Sequence, residues 1–143
     1  MTRSTWDMVL GLAWILYGTI ESSRAAYQFF HFRALAHGSN LQDFIGISPF
    51  WVLLALLMVG GAGMALGRRW AWIMTLVLSL LHSVLSAFAV RGLANGWTFL
   101  RPPLGQITWE LLPYVLLWAL TSWTLVRFFV RPRPWNTPAR SIA

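Results

Sequence analysis

Glu21 and Arg24 stand three residues apart inside a long, mostly apolar stretch that runs from Trp6 to about Ala36. That spacing places both on one face of a helix. Gln28 continues the face a turn later, and His31 follows at the next step of three. A lone charge at the centre of a bilayer costs about 2.5–3.5 kcal/mol on insertion scales. An opposed pair lowers that cost and is expected to turn into a helix pack rather than toward lipid. Three roles are open to it. The pair can neutralise itself while Arg24 snorkels toward the interface. It can form part of an ion or solute pathway. Or it can meet another subunit.

Other chemistry-bearing residues fall at a similar depth. At a rise of ~1.5 Å per residue, Glu21 lies ~20 Å and Arg24 ~24 Å from a cytoplasmic edge at Met8, and His82 lies ~18 Å from Trp70. Glu110 and Tyr114 belong to the outer half of a last helix that starts outside. Glu21, Arg24, Gln28, His82, Glu110 and Tyr114 are therefore expected to form one intramembrane polar cluster. His82 continues a stripe of Thr75, Ser79 and Ser86, which suits hydrogen bonding between helices. A single deep histidine with no second one at i+3 or i+4 is a poor metal or haem ligand. Glu110 is read as lying in the first turn of its helix, where a carboxylate favours the positive dipole end. An ion pair with Arg91, Arg101 or Arg24 is its other role.

The sequence offers little else to a catalyst. It has no cysteine and four acids, of which Glu21 and Glu110 fall in the spans, with Asp7 at the very start of the first. It carries no P-loop, no GxSxG, no HExxH and no dinucleotide fingerprint. No catalytic residue, metal site or cofactor is expected, and the chain is read as a non-enzyme.

The elements that position these residues follow from composition. The 143 residues are 57% hydrophobic and 10% charged, where a soluble domain carries about 25% charged residues. A spanning helix needs roughly 20 apolar residues. Four segments qualify, at about 6–32, 49–67, 70–90 and 107–130. The fold class expected is an all-α membrane protein, four transmembrane helices in an up-down antiparallel bundle spanning residues 1–130. Loop one, about 33–48, offers Asn40 as the cap of a short interfacial helix bearing Leu41, Phe44 and Ile45. Loop two is only Arg68-Arg69. Loop three, about 91–106, contains Asn95-Gly96, Pro102-Pro103 and Gly105 and reads as irregular. Pro113 falls in the first turns of helix four, where proline is tolerated. Residues 131–143, with three prolines, read as a flexible cytoplasmic tail.

Arginine placement sets the orientation. Arg3, Arg68, Arg69, Arg127, Arg131, Arg133 and Arg140 lie on one side, seven in all, against Arg33, Arg91 and Arg101 on the other. The positive-inside rule puts both termini in the cytoplasm of a bacterial inner membrane. Arg68, Arg69, Arg131 and Arg133 are expected at anionic lipid headgroups; nucleic acid is not an expected partner. Trp6, Trp51, Trp70, Trp72, Trp97, Trp109 and Trp135 fall near the predicted edges as an aromatic belt. Asp7 and the lack of a small-x-small site argue for a retained first helix over a cleaved signal peptide. Gly18 with Ser22, Gly63 with Gly67, and Ser79 with Ser83 are small-xxx-small pairs that permit close helix approach.

A helix-one glutamate in a small four-helix chain resembles the small multidrug-resistance transporters, where that residue is shared by protons and cationic drugs. The resemblance covers Glu21 and a helix count. Arg24, one turn away, opposes cation binding, and the long loops one and three depart from that family. The favoured expectation is a non-catalytic inner-membrane subunit or scaffold that packs on another membrane protein or on copies of itself. The alternatives are a small ion or solute transporter or channel using the Glu/Arg/His cluster, and a quinone- or lipid-binding anchor of a respiratory or photosynthetic complex.

Overall fold

A computed structural model describes residues 5–35, 41–100 and 103–130, with side chains described for 5–31, 48–96 and 103–130. Within them the chain is all-helical: α1 (Thr5–Leu35), α2 (Leu41–Ala65), α3 (Arg69–Leu100) and α4 (Leu104–Val130). Three helices contain segments long and apolar enough to cross a membrane: Ser48–Ala65, Arg69–Gly96 and Leu104–Val130. α1 has the length, at 31 residues, but is less apolar, because Asp7, Glu21, Arg24 and Arg33 interrupt it.

Helix ends differ from expectation in three places. The short helix expected at Leu41 does not stop before the second span. It continues through Pro49 as the start of α2. The stretch expected to be an irregular loop three is mostly helix, since α3 runs to Leu100 and α4 starts at Leu104. Each glycine in a helix costs only about 1 kcal/mol, so Gly92 and Gly96 do not end α3, and α4 starts directly after Pro103. The Pro103 carbonyl accepts from the N–H groups of Gln106 and Ile107 at 3.0 and 3.3 Å, starting α4. Pro113 is therefore not in the first turns but well inside α4 and buried. Its missing N–H deprives the Trp109 carbonyl of its intrahelical donor. Asn40, Arg131, Arg133 and the tail at 131–143 lie outside the described residues.

The α2–α3 turn is tight, as Arg68-Arg69 implies. Gly67 adopts φ 73°, and the N–H groups of Gly67 and Arg68 donate to the carbonyls of Met64 and Gly63 at 2.9 and 2.8 Å. This paired closure at a left-handed glycine satisfies the last carbonyls of α2. Gly67 thus serves the turn and not a helix face shared with Gly63. Arg68 and Arg69 are both exposed beside it.

α1 packs against α2 and α4, α2 against α3, and α3 against α4. Backbone meets backbone where α1 crosses α2. A Cβ on Gly11 would strike the Gly61 carbonyl, and one on Gly61 would lie 2.7 Å from the Gly11 carbonyl. Around this contact sit Leu10, Trp14, Leu54, Leu57 and Met64, all buried. The exterior carries Leu12, Leu16, Val52, Val59, Ile73, Val77, Val84, Phe88, Val115 and Val126, all exposed. The interior holds Asp7, Thr75, Ser79, His82, Ser86, Thr121 and Thr124. Such an apolar exterior over a partly polar interior is what hydrocarbon solvent requires.

Replacing Gly61 with leucine forces α1 and α2 apart. It should lower stability by about 1–3 kcal/mol or more, read as a fall in thermal midpoint in detergent. Gly92→Ala, with open space around it, should instead hold or raise the midpoint, since alanine is favoured in a helix by about 0.5–1 kcal/mol.

Candidate functional site

The inward side of α1 carries polar groups along much of its length, and they find partners on different helices. Asp7, only 3% exposed, accepts from Arg127 Nη2 of α4 at 3.1 Å. Trp14 Nε1 donates to Thr124 Oγ1 at 2.9 Å, and that hydroxyl donates in turn to the Leu120 carbonyl at 2.8 Å. Tyr17 Oη lies 3.2 Å from His82 Nε2 of α3. The histidine ring sits between Tyr17, edge-on at 6.3 Å, and Phe50, tilted at 5.6 Å. Above this layer Arg24 Nη1 donates to Glu21 Oε1 at 3.5 Å. That is a long contact for a charge-assisted bond, which normally runs about 2.7–2.9 Å.

Glu21, Arg24, Gln28 and Tyr114 line one cavity of about 250 Å³, closed partly by Ala25, Phe29 and Phe50. It draws its walls from α1, α2 and α4. Four of the six residues expected in the polar cluster therefore share a space. His82 does not line it. It lies on Tyr17, buried among aromatic rings. Glu110 does not line it either. α4 begins earlier than expected, so Glu110 falls in the second turn, where it accepts from Gln106 Nε2 at 2.9 Å. The dipole role expected of it in a first turn does not apply.

The polar stripe of α3 is used for helix packing. Ser83 and Thr121 hydroxyls meet at 3.1 Å, and Trp118 Nε1 donates to Ser86 Oγ at 2.9 Å. Ser79 is buried and donates to the Leu76 carbonyl at 3.0 Å. Gly18 packs on Met58 and Gly63 on Ala71, while Ser22 is half-buried. Sequence reasoning missed the Asp7–Arg127 pair and the part played by Tyr17 and Thr124. One signal was available: Asp7, Trp14, Glu21 and Gln28 are each seven residues apart, which keeps them on one side of a helix.

A carboxylate, a guanidinium, an amide and a phenol around one small space can bind a polar or zwitterionic solute through donors and acceptors together. Among the described residues, no three of His, Asp and Glu come together as metal ligands do. Comparison of the chain with protein-family models, curated proteins and solved structures finds no match.

The buried Asp7–Arg127 pair makes a stability prediction. Removing one partner of such a pair costs up to about 3–5 kcal/mol when the other stays dry. Arg127 keeps a quarter of its side chain accessible, so Asp7→Ala should fall at or below about 3 kcal/mol. The double variant Asp7→Ala/Arg127→Met should recover part of the loss, measured as thermal midpoints of the purified proteins in one detergent.

Proposed function

We propose that the protein is a small multi-pass transporter or channel that binds a polar solute or ion in the cavity beside Glu21. In this reading all four helices cross a bacterial inner membrane as an up-down antiparallel bundle. Both termini are cytoplasmic, as the arginine asymmetry of seven to three suggests. The cavity then opens in the outer half of the bilayer. α1 is carried across despite its charges because its polar groups turn toward α3 and α4 rather than toward acyl chains.

The observation that carries the reading is the cavity shared by Glu21, Arg24, Gln28 and Tyr114. Ionisable groups within a span are expensive and by default mark a substrate or ion pathway when they border space. The 3.5 Å separation of Glu21 and Arg24 leaves both groups able to bind a solute without first dismantling a tight pair. His82 and Tyr17 lie on the inner side and offer a polar continuation toward the cytoplasmic half.

A non-catalytic subunit or scaffold, motivated by the absence of catalytic motifs beside small-residue and aromatic faces, is the second reading, and its small-residue faces are engaged within the chain. Those at Gly18, Gly63 and Ser83 are occupied by Met58, Ala71 and Thr121 of the same chain. They support internal packing.

Reconstituted into liposomes, the wild-type protein should give a pH-dependent flux of an ion or small polar solute. Glu21→Gln should reduce it at least tenfold while leaving the protein monodisperse. Wild-type liposomes that pass none of the ions and solutes tested would overturn the proposal.

A further inference from the structure

On the other side of Glu21 and Arg24 a second, larger space opens between α1 and α4. It has a volume of about 560 Å³, within the range of small-molecule sites of about 300–1,000 Å³. Its composition changes along its length. Ile20, Leu112 and Leu116 line one end, and Gln28, His31 and Trp109 the other, with Arg24 on the wall between. Roughly two and roughly four turns below Glu21, α1 and α4 are pinned together by Trp14–Thr124 and Asp7–Arg127. The groove lies above these two contacts.

We propose that this groove holds one phospholipid, with its phosphate on Arg24 and an acyl chain along Ile20, Leu112 and Leu116. The polarity gradient matches an amphiphile whose head points outward, which is the direction of the outer leaflet in the orientation given above. The cationic contact comes from Arg24, beside the Glu21 carboxylate on the same wall. Among the described residues, Arg24 Nε is buried without a hydrogen-bond partner, and the guanidinium bonds only to Glu21, at the long distance given above. A buried donor left unpaired costs about 1–3 kcal/mol, and a phosphate oxygen would satisfy it with the geometry that guanidinium groups favour. Gln28 adds an amide donor. Trp109 and Tyr27, both exposed and the latter stacked on His31 at 5.3 Å, are of the type that settles among headgroups. The inference rests on the four-span placement but not on any flux through the smaller cavity.

Native mass spectrometry of the delipidated protein, recharged with defined lipids, tests it. The wild-type protein should retain one phosphatidylglycerol or phosphatidylethanolamine. It should retain diacylglycerol of the same chains at least tenfold less. Glu21→Gln/Arg24→Gln removes the phosphate contact without leaving a lone charge, and it should cut phospholipid retention at least tenfold. Leu112→Trp fills the groove with all charges in place and should do the same. Equal retention of diacylglycerol and phospholipid would overturn the phosphate assignment. Retention by the folded Leu112→Trp protein at the wild-type level would overturn the groove assignment. Neither result bears on transport, which the liposome measurement reads separately.

Discussion

In hydrocarbon a polar group that faces outward has no solvent to bind, so its partner must come from the protein. In the four-span arrangement proposed above, α1 depends on this constraint more than any other element of the chain. It is the helix that composition alone does not make a span, and it carries Asp7, Trp14, Tyr17, Glu21 and Arg24 on its inward side. Each of the lower three is answered from another helix, by Arg127, Thr124 and His82. Those bonds hold α1 in rotation as well as in place. A turn of the helix about its axis would expose every one of them together.

The consequence for function lies at the upper end, where the answering groups run out. Among the described residues Glu21 and Arg24 bond only to each other, at a distance that leaves both underused. Spaces open on both sides of them, one toward α2 and one along α4. The lower half of α1 is therefore a packed structural element and the upper half borders two cavities. Gly11 against Gly61 allows this division, because the closest approach of α1 and α2 falls in the lower half.

Much of this was legible in the residues. The apolar runs located α2, α3 and α4, and the helical spacing of Glu21, Arg24 and Gln28 placed them on a common wall. What was not legible has physical causes. Asn95-Gly96 reads as a breaker, yet two glycines are a small penalty against a helix of 32 residues. The start of α4 moved because Pro103 caps it, and with it Glu110 left the first turn and Pro113 entered the interior. His82 meets Tyr17 and not the Glu21 cavity, since depth along one helix says nothing about rotation. The partner of Asp7 is Arg127, 120 residues on, a separation that no local spacing reveals.

The absence of cysteine makes the inward, water-bordering placement of α1 directly measurable. Single cysteines at Ala25, on the cavity wall, and at Leu16, on the apolar exterior, can be challenged in intact cells with a membrane-impermeant maleimide. The account predicts that the cysteine at position 25 is labelled from outside and the one at position 16 is not. Labelling at 16 with none at 25 would mean that the polar side of α1 is turned the other way, and would contradict it.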